Sequence, residues 1–465
     1  MPKKIFMDCS INQTRIVYTQ DGEAVEVFIE DARHESLVGN IYAGAVKTIV
    51  QGGKAAFVDI GHSKNAYLEL KPTDKRLKHG DSVTVQVLKD SYMKKGAVVT
   101  QDLSFPGSFL VLLNEDMVSV SKKITDQAAR DELFKLAEEM KPQGCGLIVR
   151  TNATAATQED FAKEIAALKA ERVELLQVAE FIKPPGVLKQ EPLYMKIVRD
   201  IFAEDIDEFV VNSRAAYENI RNLVSDALKP KVRLYENDVP MLDYYFLETQ
   251  IERALSRRVW LKNGGFIVID RTEACTVMDV NTGKGTAAKG AQDAALKTNL
   301  EAAREIAKQL RLRNLSGIII IDFISMKDAK SREAVQKVIE AETAKDRIKT
   351  TVVGFTQLGL MQLTRRKTSP PIAQLLSKQC LNCAGEGYVL SAKYLSDRVK
   401  LQVESLLTQT VFNRITITAH ASVVNELKAS EEYFNALEER FGAKITITSK
   451  AGVSENYFKI EKEKV

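Results

Sequence analysis

Four consecutive isoleucines, Ile318 to Ile321, followed at once by Asp322, constrain this chain more than any other feature. An unbroken β-branched run reads as a strand buried on both faces, the mark of a central strand in a layered sheet. Upstream, Leu296, Leu300, Ala303, Ala307 and Leu310 fall on one face of a helix predicted over Ala294–Arg311. Before that helix, Gly265–Asp270 and Cys275–Asn281 read as strands around a short turn. Residues from Gly264 to Gly354 therefore predict an α/β layer structure.

Within Cys275–Asn281 the side chains alternate, so Asp279 and Asn281 point one way while Met278 and Val280 enter the opposite layer. Asp322 ends the isoleucine strand, and ligands of layered α/β sheets bind beyond the carboxyl ends of the strands. An aspartate there is costly to bury unless a cation, a donor or solvent meets it. The competing reading is that each Asp caps the following turn or helix. Two carboxylates suit Mg²⁺, which takes oxygen ligands and keeps several waters. Such a cation polarises a phosphoryl oxygen and activates water, which is nuclease chemistry, with Asn281 holding the scissile phosphate or orienting the water. The piece Thr282-Gly283-Lys284-Gly285-Thr286 fails the spacing of a phosphate-binding loop and reads as a mobile loop beside the substrate, with a plain turn as the alternative.

The 465 residues are enough for several domains. No stretch approaches the ~20 apolar residues of a membrane span and the start lacks an export signal, so a cytoplasmic location is expected. The net charge of +4 demands no nucleic acid, but Gly39 to Asp102 alone carries ten Lys/Arg against six Asp/Glu, as a phosphate-facing module does. A solvated face accounts for the same excess. The chain opens as a β-hairpin turning at Gln20-Asp21-Gly22. Five short strands follow in Ile41–Val50, Ala55–Ile60, Ala66–Leu70, Ser82–Lys89 and Ala97–Gln101, which suits a small barrel of the oligonucleotide-binding type. Helices are predicted over Asp126–Met140 and Gln158–Ala179, a strand over Gly146–Thr151 between them, and a linker at Pro184-Pro185-Gly186. Pro192–Leu228 reads as mainly helical, and the C-terminal stretch as a small α+β unit with strands at Arg414–Thr418 and Lys444–Ser449.

Cys9, Cys145 and Cys275 read as small core residues, and His420 as structural. Cys380-Leu381-Asn382-Cys383, with Gly385 and Gly387, is half a zinc knuckle. Zinc takes four ligands, and the chain offers no second Cys pair or nearby His, so a symmetric partner supplying its own two thiolates is the economical completion. A redox role is the alternative, without the βαβ context that such a motif favours.

Met278–Gly283, Thr298–Ala302, Arg311–Leu315 and Ile318–Met326 resemble, in order and spacing, the catalytic domain of the ribonuclease E/G family, more closely its compact G form. The resemblance covers nearly the whole chain, including Asn40-Ile41-Tyr42 and Ala55–Gly61. It implies an RNase H-like scaffold split between residues 1–34 and 189–262, interrupted by an S1 barrel at 35–104 and a sensor of RNA 5′ ends at 105–188. It also implies a DNase I-like catalytic domain at 263–376, a zinc link at 377–388 and a small C-terminal domain at 389–465. On the same basis Asp279 and Asp322 hold magnesium, Asn281 assists at the phosphate, and single-stranded, often A/U-rich RNA is cut to leave a 5′ monophosphate, in ribosomal RNA maturation and messenger decay.

Phe57 and Tyr67 match base-stacking positions of the S1 barrel and Lys95 a basic contact beside them; read alone, aromatics at alternating strand positions favour a core. Arg150 and Thr151 match a pair that grips a terminal monophosphate, with Gly107 and Val111 lining the pocket. Lys122 and Lys349 stand where ribonuclease E carries arginine, which implies looser geometry. Ser325 replaces an aspartate common at that place in the family, so the resemblance carries over no further ligand or base there. The resemblance also implies a dimer of chains around the shared zinc at Cys380 and Cys383, with dimers free to pair further, and no degradosome scaffold tail. An inactive RNA-binding protein is the leading alternative, opposed by the intact Asp279/Asn281/Asp322 set, and a nucleotide-dependent phosphotransferase is the next.

Overall fold

A computed structural model describes residues 2–31, 36–50, 54–71, 77–91, 95–203, 205–283, 291–383, 385–409 and 413–463. The chain divides into two compact units, Met1–Leu375 and Leu376–Val465.

In the first unit, Lys3–Cys9, Gln13–Gln20 and Glu23–Asp31 form an antiparallel meander. Its first strand pairs in parallel with Glu208–Val211, which pairs in parallel with Val232–Leu234. The Glu208–Val211 strand is buried along its whole length and lies inside the stretch expected to be helical. Only Leu193–Asp200 and Arg214–Leu223 there are α-helices of appreciable length. Four residues are too few to display a period, and what fixes them as strand is a partner some 200 residues away in the chain.

Ile41–Ile49, Ala55–Asp59, Ala66–Glu69, Ser82–Lys89 and Val98–Thr100 make a closed five-stranded barrel of the oligonucleotide-binding type, sealed by the pairing of Ile41–Ala45 with Ser82–Gln86. The linker expected at Pro184-Pro185-Gly186 leads at Gly186 into a strand that was not anticipated, Gly186–Lys189, added beside Ile41–Ala43. Leu110–Leu113 and Gly146–Val149 centre a four-stranded sheet against which Gln127–Met140 and Gln158–Phe181 pack. Asp126 and Thr157 cap these two helices, the second through a reciprocal capping box with Asp160.

The remaining sheet of this unit has six strands in the order Arg258–Trp260, Phe266–Arg271, Cys275–Asn281, Gly317–Asp322, Met361–Arg365 and Thr350–Phe355. Met278, Val280, Ile319, Ile321 and Leu363 face one way and pack with Ala302, Ile306 and Leu310 of the Ala291–Leu312 helix and with Val335 and Ile339 of Ala329–Ala344. The opposite face is open, and Ile318 is 51% exposed on it. The isoleucine strand is thus buried on one face only; an unbroken apolar run cannot reveal which of its two faces lacks a covering layer. Arg311 and Lys308 of the first helix reach Glu26 (2.7 Å) and Glu23 (2.6 Å), tying this sheet's helical layer to the opening meander.

The second unit packs the Ala392–Gln409, Ala421–Lys428 and Glu431–Phe441 helices on a three-stranded sheet. Its order is Lys444–Ser449, Arg414–Ala419 and a strand not anticipated from sequence, Phe458–Glu463. His420 caps the helix that follows it by accepting from the Ser422 amide. Of the three cysteines expected in cores, Cys145 is buried, whereas Cys9 and Cys275 are half-buried.

Candidate active site

Asp279 and Asp322 are register partners on adjacent parallel strands. Alternation turns both onto the open face, where both are exposed, while their neighbours Met278, Val280 and Ile321 enter the core. Asn281, two residues beyond Asp279 on the same face, donates from Nδ2 to Asp279 Oδ2 at 2.8 Å. No Lys or Arg forms an ion pair with either carboxylate among the described residues. Like charges on directly paired residues of neighbouring strands repel, so this pair gains from a cation shared between them. Phe323 follows in the core, and Ser325 is exposed. The loop read as a mobile element, Lys284 to Thr286, lies outside the described residues.

The strand ends are braced from behind. Asn299, fully buried in the adjacent helix, donates to the Ile324 carbonyl at 2.7 Å and accepts from the Ile324 amide at 3.0 Å. The segment leaving Asp322 is thereby fixed to a helix instead of to solvent. A buried asparagine whose amide meets both backbone groups of one residue is a positional anchor that a helical pattern does not announce.

On the barrel, Phe57 and Tyr67 are opposite each other on paired antiparallel strands, 39% and 38% exposed, with ring centroids 6.0 Å apart at 72°. The core reading of these rings is therefore overturned: the barrel interior is filled by Ala56, Val58, Ala66 and Leu68, and the rings stand on its outside. Lys95 is exposed just before Gly96, where a Cβ would collide with the Asn65 carbonyl, so only glycine lets that strand come this close to Tyr67.

The residues expected around an RNA 5′ end lie on segments distant in the chain. Thr151 Oγ1 is 3.1 Å from Ser121 Oγ, beside exposed Lys122. Lys123 reaches the Arg347 carbonyl at 3.3 Å, which brings in the segment carrying exposed Lys349. Val111 is half-buried in the strand next to Ile148. Arg150 is already engaged: its guanidinium donates to the Gly107 carbonyl at 2.6 Å and to Asp200 Oδ1 at 2.7 Å. Asp200 also accepts from Arg199, which bonds Glu191. Burial opposes ionisation of Asp200, yet Arg199 and Arg150 outweigh it and hold the carboxyl below its usual range. The amides of Ser108, Phe109 and Leu110, a group of donors fit for an anion, are filled by the Glu164 carboxylate at 2.5–2.9 Å. Sequence reasoning missed Asp200 and Glu164, and no local signal marks either, because each acts on a segment about 50 residues away.

In the second unit, the backbone amides of Cys383 and Asn382, and then the Cys383 thiol, stabilise the Cys380 thiolate and hold its pKa below the usual thiol value. Cys380 is exposed and Cys383 half-buried. Among the described residues no group of three or more His, Cys, Asp or Glu side chains is placed to hold a metal. These two thiols are thus at most half of a tetrahedral site.

An open-faced α/β sheet with paired carboxylates at its strand ends, in one compact unit with an oligonucleotide-binding type barrel, is the architecture of an enzyme that works on nucleic acid. The model of the ribonuclease E/G family matches residues 104–368. Ribonuclease G of Salmonella typhimurium is 33% identical over 96% of both chains, and ribonuclease G of Escherichia coli K12 is 32% identical over the same shares. Ribonuclease E of Escherichia coli K12 is 30% identical over 94% of this chain but only 44% of its own length. The chain belongs to the ribonuclease E/G family.

Proposed function

We propose that this endoribonuclease is magnesium-dependent and cuts single-stranded, A/U-rich RNA with a preference for 5′-monophosphorylated ends. The observation that carries the reading is the Asp279–Asp322 register pair with Asn281 bonded to Asp279, two carboxylates on an open sheet face with no ion pair to a Lys or Arg among the described residues. Their oxygens fit Mg²⁺, which would supply Lewis-acid polarisation of the phosphoryl oxygen. Asn281 keeps a second Nδ2 proton for a non-bridging phosphate oxygen while its first fixes the Asp279 carboxylate. Phe57 and Tyr67 present ring surface for bases, and Lys95 adds charge beside them; stacking tolerates every base. Arg150 and Thr151, with Gly107, Val111, Lys122 and Lys349 around them, take the terminal phosphate once Arg150 leaves Asp200.

The soft thiolates of Cys380 and Cys383 fit Zn²⁺ and, being two, call for two more from a second chain. We assign them to a zinc-clasped homodimer acting in the cytoplasm in ribosomal RNA maturation and messenger decay. Among the described residues no helix is long and apolar enough to cross a membrane. The reading is tested by incubating purified protein with a 5′-monophosphorylated A/U-rich oligomer, with Mg²⁺ or with chelator, and determining the product ends. Magnesium-dependent products with 5′ phosphates support it; cleavage that persists in chelator, or that leaves 5′ hydroxyls, refutes it.

A further inference from the structure

Trp260 is the single tryptophan of the chain, and it is 65% exposed on the edge strand of the catalytic sheet. Its neighbour Val259 packs with the core, so alternation puts Arg258 and Trp260 on the open face. Trp260 is the register partner of Phe266, and Phe266 of Asn281, so the three form one row across three strands. Two strand spacings, about 10 Å, separate the Trp260 backbone from that of Asn281. The Trp260 and Phe266 rings lie 5.4 Å apart, and the Arg258 guanidinium sits 4.5 Å from the Phe266 centroid and 5.6 Å from that of Trp260. Arg258 forms no ion pair among the described residues, although Arg257 beside it is paired with Asp270.

A large apolar ring left in water, an arginine with no carboxylate partner among the described residues, and a place in the row of Asn281 beside the carboxylate pair together describe a surface waiting for something planar and anionic. A nucleotide is both. We propose that Trp260, with Phe266 and Arg258 beside it, is a stacking platform for an RNA base next to the scissile phosphate, Arg258 meeting the phosphate of that nucleotide. Any base can occupy it, since each offers a π-face, and its occupation fixes which linkage lies over Asp279 and Asp322. The inference rests on the assignment of that pair as the cleavage centre.

Because no other tryptophan is present, the ring reports on itself. In full-length protein carrying Asp279→Asn, titration with a 5′-monophosphorylated single-stranded oligoribonucleotide is expected to quench the Trp260 emission saturably. The same oligomer with one abasic nucleotide beside the cleavage position binds, by anisotropy of an end label, without that quenching. In protein with intact Asp279, Trp260→Ala is expected to raise KM by about 5- to 150-fold with little change in kcat, and Trp260→Phe to restore most of it. Emission unchanged while the labelled oligomer binds, or an unaltered KM in Trp260→Ala, overturns the platform. So does emission that follows protein concentration without RNA together with loss of oligomers in Trp260→Ala, which makes this face a subunit contact. If Asp279→Asn still cuts RNA, the cleavage-centre assignment fails independently of the quenching result.

Discussion

Removing the Asp346 carboxylate should destabilise the larger unit severely without harming the chemistry of the molecules that remain folded. Asp346 and Arg365 are a buried pair, their side chains 3% and 2% exposed, joined by Nε–Oδ2 at 2.7 Å and Nη2–Oδ1 at 3.4 Å. Arg365 also donates to Asn314 Oδ1 at 2.9 Å and to the Leu315 carbonyl at 3.0 Å, and Asp346 accepts from the Ile348 amide at 2.9 Å. Asn314 sits at φ 50° in the turn that feeds the isoleucine strand, so the network fixes where that strand begins. Breaking a buried pair by deleting one partner typically costs ~3–5 kcal/mol, because the other charge is left uncompensated, whereas replacing both ions costs far less. Asp346→Ala is therefore expected near the top of that range, since it also orphans the Ile348 amide, and Asp346→Ala with Arg365→Met should recover part of the loss. Urea unfolding followed by far-ultraviolet circular dichroism reads the stability, and a double-mutant cycle the coupling. Arg365 pairs with Gly317, at the far end of the strand from Asp322. Cleavage per folded molecule should accordingly stay near normal in dilute urea-free buffer. A loss below about 1 kcal/mol, or a double variant no better than the single, refutes the reasoning.

Four further outcomes follow from the same geometry. Phe57→Ala or Tyr67→Ala should weaken binding of a single-stranded oligomer by ~1–3 kcal/mol each, with little change in unfolding, because both rings stand outside the barrel core; equal losses of stability would return them to that core. Asp200→Asn should free Arg150 and lower the KM for a 5′-monophosphorylated oligomer while leaving that for a 5′-hydroxyl oligomer unchanged, and a fall in the monophosphate advantage would instead make Asp200 a support for Arg150. Since Asp200 titrates below its ordinary 3.8, its ion pairs contribute stability above the unfolded pKa that is lost as pH falls through the folded one. The Asp200→Asn difference in stability should thus be constant near neutrality, begin to shrink only as pH approaches the unfolded value near 3.8, and vanish as pH falls through the lower folded one, which acid unfolding curves of the two proteins will test. Cys380→Ser should abolish dimers, and metal analysis should find one zinc per two chains; a zinc-loaded monomer contradicts the clasp.

The face that carries Asp279, Asn281 and Asp322 was legible because it depends on local rules. Alternation alone places Asp279 and Asn281 together, and the terminal position of Asp322 places it near them, so only the pairing of the two strands was left for the structure to supply. The five short barrel strands were equally readable, since each is bounded by turn residues. What escaped depends on partners distant in sequence. Glu208–Val211 is a strand because Lys4–Met7 lies beside it, and Gly186–Lys189 because the barrel edge is open to it. Ile318 and Ile320 look identical to Ile319 and Ile321 in sequence, yet among the described residues the helices cover only the face of Ile319 and Ile321, and Ile318 is left accessible. Arg150 was expected to be waiting for phosphate; its pairing with Asp200 joins two segments that carry no shared pattern.

Single-turnover cleavage of a 5′-monophosphorylated A/U-rich oligomer by Asp279→Asn, Asp322→Asn and the unaltered protein, each at saturating Mg²⁺, bears most directly on the paired carboxylates. Loss of a ligand worth several kcal/mol of transition-state stabilisation predicts that either change slows cleavage about 10²-fold or more while oligomer binding is retained. Cleavage at the unaltered rate by either variant would contradict it.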